Sequence, residues 1–131
     1  MVAKAGDIDR VLAHDPANFA FDTAPWMNPA TRSDFGTAAD IADLKAFTDR
    51  IAGFIATTGR VPFAGEYGAH ESKPDAARAV YYADVSAAFA SIGVQSCAWG
   101  YDNTFNLWRD GSGWVNPVVD GIVTTTTLPP G

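Results

Sequence analysis

The chain has 131 residues, of which 47% are hydrophobic and 18% charged, and its nine basic and fifteen acidic residues give a net charge of −6. This composition is typical of a single globular domain rather than a disordered chain. The excess of acidic residues and the lack of a basic stripe disfavour nucleic acid and anionic membranes as partners. No apolar run approaches ~20 residues, so the sequence does not predict a transmembrane span.

The first elements in chain order are a strand, a long loop and a helix. An apolar run at 10–14 predicts a buried strand, and residues 15–36 carry three prolines without any hydrophobic period, which predicts a loop. Loops of that length in a compact domain are usually functional. Thr37 and Asp40 resemble a capping box, and apolar residues then recur at helical spacing until Gly59.

The second half repeats the alternation of strand and helix. A strand is predicted at 60–66, a helix from after Pro74 to Gly93, a strand at 94–99 and a short helix at 114–123. The segment between the last strand and the last helix is predicted to be a loop, with Trp114 packing at the start of the helix. Residues 124–131 are predicted to be a disordered tail or linker stump. The order predicts an α/β fold with a parallel sheet and right-handed crossovers.

Polar and aromatic residues follow the predicted strands at their carboxyl ends. Glu66 ends the second strand, His14 ends the first, and Trp99 ends the third. In parallel α/β folds the loops at these ends build the active site. The alternative for Glu66 is a solvated carboxylate in a turn, and the alternative for Trp99 is a core aromatic. Taken together, the three strand ends indicate a functional site.

Three segments resemble the C-terminal part of glycoside hydrolase family 5, the cellulase or endoglucanase family. They are "VPFAGEYGAH", "YYADVSAAFASIGVQSCAWGYDNTFNLW" with the later "GW", and "HDPANFAFDTAPW". The resemblance covers residues 8–123. It implies strands six to eight, the C-terminal three βα units of a (β/α)8 TIM barrel, as a partial catalytic domain at 1–123. A complete barrel takes about 250 residues, so the barrel is incomplete.

The same resemblance implies roles for individual residues. Glu66 matches the nucleophile of a retaining mechanism, and Trp99 matches the tryptophan that stacks under the sugar beside the scissile bond. The other candidate substrate-binding residues lie at the strand ends or in the loops that follow them: His14, Trp26, His70, Tyr101 and Asn103. An ionised carboxylate suits nucleophilic attack at an anomeric carbon, and an indole suits the apolar face of a sugar.

Two features depart from the family pattern. The family has a His-x-Tyr pair on strand six, and His14 takes either the tyrosine or the histidine position, depending on a gap in the alignment. The strand-four Asn-Glu pair, whose glutamate is the general acid/base, is absent from these residues. Asp15 and Asp102 come from the neighbouring strands. We interpret Asp15 as a turn residue and Asp102 as a polar loop residue rather than as replacements for the general acid/base.

The sequence therefore predicts a fragment of a retaining hydrolase of β-1,4-glucans that serves polysaccharide catabolism and lacks its acid/base. The alternative is a non-catalytic carbohydrate-binding or structural remnant of such a barrel. The expected partner is a β-glucan polysaccharide or oligosaccharide, with self-association through the exposed barrel interior. No metal or other cofactor is expected, since two histidines and Cys97 have no metal-site spacing. No signal peptide is recognised at the start, so the sequence assigns no location.

Overall fold

The computed structural model describes residues 35–125, which form three helices and four short strands. In chain order these are α1 (Ala38–Thr58), β1 (Ala64–Tyr67), α2 (Asp75–Ser91), β2 (Ser96–Ala98), β3 (Trp108–Arg109), β4 (Gly113–Trp114) and α3 (Asn116–Thr125). The predicted strand at 10–14, nearly all of the predicted loop at 15–36 and the end of the tail lie outside the described residues. His14, Asp15 and Trp26 lie outside them as well.

Helix α1 begins and ends where its sequence predicts. The Thr37 hydroxyl accepts the Asp40 N–H at 3.3 Å, and the Asp40 carboxylate accepts the Thr37 N–H at 2.9 Å, which completes the capping box. At the other end Gly59 adopts a φ of 68°, and its N–H donates to the Ile55 carbonyl at 2.8 Å. A left-handed residue after the last turn is the usual place for glycine, because glycine has no Cβ to clash.

Strands β1 and β2 pair in parallel, which confirms the predicted direction of the sheet. Ala64 is opposite Ser96 and Tyr67 is opposite Ala98, so β1 carries one residue more than β2 over the same stretch. The register of the ladder therefore shifts between Ala64 and Tyr67. The strand begins at Ala64 rather than at residue 60 as predicted, and Pro62 just before it has no N–H for a sheet ladder.

Helix α2 lies at the centre of the described core. Its residues Tyr82, Val85 and Phe89 are buried, and the Phe89 ring packs against Phe47 of α1 and Tyr67 of β1. Helix α3 also packs against α2. There Gly121 approaches so closely that a Cβ would lie 3.0 Å from the Ala79 carbonyl oxygen.

Strands β3 and β4 form a hairpin where a loop was predicted. Asp110 and Gly111 lie in its turn, and Gly111 has a φ of 78° that suits glycine. The prediction for Trp114 was wrong: it lies in β4, is 50% exposed, and packs on Tyr101 and Trp108 rather than at a helix start. Helix α3 begins two residues later, at Asn116.

The described residues therefore form a mixed α/β unit, and residues 35–125 contain no closed barrel. Within that range no helix has the length and apolar character that a membrane span requires.

Candidate active site

Glu66 lies on the face of the β1–β2 sheet that points away from α2. Its neighbour Tyr67 is buried, with its ring 5.7 Å from that of Tyr82 on α2. Successive side chains of a strand alternate between the two faces. The half-buried Glu66 therefore faces the opposite side from the helical core.

Trp99 lies on the same face, just beyond β2. Ser96 hydrogen-bonds to the Tyr67 side chain, and Ala98 packs against the core, so both face α2. Cys97 and Trp99 alternate with them and are exposed, Trp99 by 43%. The structure thus brings Glu66 and Trp99 to one face at the carboxyl ends of two adjacent parallel strands.

The register also places these two residues near each other along the strands. Tyr67 is opposite Ala98, so Glu66 comes one residue before this pair on β1 and Trp99 one residue after it, just beyond β2. A carboxylate and an indole placed in this way can contact one small ligand.

His70 lies in the loop after β1, beside the loop after β2. Its Nδ1 accepts the Ser72 N–H at 3.0 Å, and its ring meets the Phe105 ring edge-on with centroids 5.5 Å apart. The Glu71 N–H donates to the Thr104 carbonyl at 2.7 Å. The two loops therefore form one surface next to the strand ends.

The other two described candidates lie further along the chain. The Tyr101 ring stacks on Trp108 at 5.9 Å and meets Trp114 edge-on at 5.7 Å. Asn103 Oδ1 accepts the Phe105 N–H at 2.9 Å, a contact that shapes a turn. Tyr101 thus packs in an aromatic cluster with Trp108 and Trp114 of the β3–β4 hairpin, and the Asn103 side chain stabilises a turn of the loop.

Sequence reasoning missed a polar network that joins α2 to both loops. Arg109 donates to both oxygens of Asp75 at 2.8 Å each, and the fully buried Arg78 donates to Asp75 at 3.0 Å. Arg78 also donates to Asn106, which in turn donates to Glu71. The available signal was the i, i+4 spacing of Arg78 and Tyr82, which puts an arginine on the apolar face of a helix.

Asp75 makes the stability of this region depend on pH. Hydrogen bonds from Arg109, followed by those from Arg78, hold the pKa of Asp75 below its ordinary value of 3.8. A carboxyl whose folded pKa is depressed stabilises the fold above its unfolded pKa, and that contribution is lost as the pH falls through the folded pKa. We expect Asp75→Asn to lower stability at neutral pH and to flatten its decline below about pH 4.

The measurement is the free energy of unfolding by urea from pH 7 to pH 3. The control is Asp49→Asn, which removes the partner of Lys45 in an exposed ion pair of the kind that contributes little. If the free energy of unfolding falls as steeply at acid pH in Asp75→Asn as in the wild type, the role given to Asp75 is wrong.

Metal chemistry finds no support in the part of the chain described, since residues 35–125 contain no group of three or more histidine, cysteine or acidic side chains placed to hold an ion.

Comparison with family models and with curated protein sequences gives no match. Solved structures do match. Cellulose synthase subunit Z (CcsZ) from Clostridioides difficile superposes with a TM-score of 0.64 at 18% identity, over 83% of this chain and 38% of that one. Thermotoga maritima Cel5A with mannotriose gives 0.65 at 16% identity, over 83% and 34%. ZgEngAGH5_4 with a cellotriose gives 0.63 at 28% identity, over 70% and 29%.

These structural neighbours are family 5 cellulases and endoglucanases, which are (β/α)8 barrels. The chain spans about a third of the length of these proteins. The expected resemblance to this family is therefore confirmed at the level of fold, and the described part corresponds to a fragment of a barrel.

Proposed function

We propose that the chain is the C-terminal part of a retaining glycoside hydrolase that acts on β-1,4-glucans. The observation that carries this proposal is the shared sheet face of Glu66 and Trp99 at the carboxyl ends of β1 and β2. The structural neighbours support the substrate class, because Thermotoga maritima Cel5A has been solved with cellobiose and ZgEngAGH5_4 with a cellotriose.

In this proposal Glu66 attacks the anomeric carbon and Trp99 stacks under the sugar ring. A retaining mechanism needs a second carboxyl group about 5–5.5 Å away to protonate the leaving oxygen. That group would come from barrel units beyond the part that this chain spans. The residues 35–125 would then supply the nucleophile, the stacking platform and one wall of the cleft.

The alternative function is carbohydrate binding without catalysis. The exposed rings of Trp99 and Tyr101 favour it, since aromatic rings bind sugars without any help from a second carboxylate. The two functions share the role of Trp99 and differ in the role of Glu66. Turnover in a completed barrel separates them.

The test of sugar binding is Trp99→Ala. Stacking contributes about 0.5–1.5 kcal/mol beyond area burial, so affinity for cello-oligosaccharides should fall by about 2- to 12-fold from this loss alone. Isothermal titration calorimetry with cellotetraose measures the change. Phe63→Ala is the control, because Phe63 is 46% exposed against 43% for Trp99 but comes just before β1, at the opposite end of the strand from the site.

Affinity should stay near the wild-type value in Phe63→Ala. Equal losses in both variants, or an unchanged affinity with lowered stability in Trp99→Ala, would mean that Trp99 is a packing residue.

A further inference from the structure

Two side chains of α2 hold both backbone polar groups of Ala69, the second residue after β1. The Tyr82 hydroxyl accepts the Ala69 N–H at 3.2 Å, and Arg78 Nε donates to the Ala69 carbonyl at 3.2 Å. All three residues are completely buried. Arg78 and Tyr82 are one helical turn apart, so a single face of α2 makes both contacts.

The same two side chains also reach the chain that leaves β2. The Tyr82 hydroxyl donates to the Trp99 carbonyl at 3.4 Å, and Arg78 donates to Asn106 Oδ1 at 3.2 Å and to the Asn106 carbonyl. Each therefore joins the end of β1, next to Glu66, to the chain after β2, which begins with Trp99.

The sheet itself does not make these connections. Its last bond is from the Trp99 N–H to the Tyr67 carbonyl, at 2.7 Å. Beyond that bond Gly68 passes so near both groups that a Cβ there would lie 3.3 Å from the Tyr82 hydroxyl and 3.3 Å from the Trp99 carbonyl oxygen. The two chains are in contact there, and Tyr82 supplies the polar link between them.

A buried guanidinium is costly unless its donors are paired. Arg78 pairs with Asp75 at 3.0 Å and uses its remaining donors on the two loops. A salt bridge alone would need none of the loop contacts. The fork geometry of arginine, which a lysine lacks, is what lets one side chain bind three partners.

We propose that Arg78 and Tyr82 are positioning residues, a strand-end clamp that fixes the relative placement of Glu66 and Trp99. This inference rests on the proposed function and extends it, because neither residue contacts the face on which the sugar would lie. The clamp acts from behind the sheet, through the backbone of Ala69 and the carbonyl of Trp99.

The first arm of the test needs no sugar. Tyr82→Phe removes the hydroxyl and keeps the ring, so amide hydrogen exchange at Ala69 should speed up by about 2- to 12-fold, the equivalent of one hydrogen bond. Exchange is read by NMR relative to the amide of Val85 in the core, and the Trp99 amide resonance should shift. Tyr67→Phe is the matched control, because its buried hydroxyl bonds to Ser96 and Ser86 instead.

The second arm measures affinity for cellotetraose in the same two variants. Tyr82→Phe should weaken binding several-fold and Tyr67→Phe should not, although both lose a buried hydroxyl. Arg78→Lys should act like Tyr82→Phe; Tyr82→Phe decides the matter if the lysine variant does not fold.

The outcomes separate the clamp from the proposed function. Ala69 exchange that is unchanged, or equally faster in Tyr67→Phe, overturns the clamp. Faster exchange with unchanged affinity overturns the positioning role. A wild-type chain that binds no cellotetraose counts against the proposed function, and a selective shift of the Trp99 resonance in Tyr82→Phe then still supports the clamp.

Discussion

Glu66→Gln should remove nearly all turnover from a barrel completed around this chain by fusing the missing N-terminal βα units to it. The amide cannot form the glycosyl-enzyme intermediate, and loss of a nucleophile can cost about 10⁶-fold in the rate of chemistry. We expect a fall of at least ~10³-fold in kcat, with oligosaccharide binding largely retained. The measurement is hydrolysis of a soluble cellulose analogue, with NMR of the product to show retained anomeric configuration.

Glu71→Gln is the matched control for this experiment, because Glu71 is an exposed acid in the next loop whose contact with Asn106 an amide oxygen can keep. It should leave most of the turnover. The unfused chain should be inactive, since general acid help of about 10²- to 10⁴-fold is missing. Substantial activity in Glu66→Gln or in the unfused chain would refute the role of Glu66.

Gly100→Ala should destabilise the fold more than any surface substitution. Gly100 has a φ of 96°, and a Cβ there would lie 2.5 Å from Asn103 Oδ1, 2.7 Å from Phe105 Cβ and 2.8 Å from the Phe105 carbonyl oxygen. Two of these atoms are fixed by the backbone and cannot swing away. Backbone strain and overpacking each cost about 1–3 kcal/mol, so we expect a loss of about 3 kcal/mol in the free energy of unfolding.

Urea unfolding followed by far-ultraviolet circular dichroism measures this loss. Gly53→Ala should have the opposite sign, because Gly53 lies within α1 and a Cβ there meets nothing within 4 Å. Alanine is favoured over glycine inside a helix by about 1 kcal/mol. A Gly100→Ala variant as stable as the wild type would mean that the loop rearranges freely and does not constrain Trp99.

The sequence predicted the helices and the site strands well because their signals are local. Thr37 and Gly59 bound α1 through contacts within one turn, and the apolar runs around Glu66 and Trp99 became β1 and β2. The ends of the strands were less predictable. The partner strand decides where the hydrogen-bonded ladder of a sheet starts and ends, and this partner is distant in sequence. Both strands are therefore shorter than their apolar runs suggest.

The hairpin and the clamp were missed for different reasons. The turn of the hairpin has a readable signal, Asp110-Gly111 between aromatic residues, but in the sequence the resemblance to the loop after strand eight outweighs it. The clamp has only one sequence signal, the i, i+4 spacing of Arg78 and Tyr82, because several of their partners are backbone groups of the two loops. The role of Arg78 depends on the packing of α2 against the two strand ends, which the sequence does not show.

The hairpin also bears on the order in which the chain assembles. Its paired residues Trp108 and Trp114 are near neighbours in sequence, whereas all of α2 separates Tyr67 from Ala98. Closing a short loop costs less chain entropy than closing a long one, and isolated hairpins form in about 1–10 μs. The aromatic cluster can therefore form by local search, while alignment of Glu66 with Trp99 must wait for the crossover helix to dock.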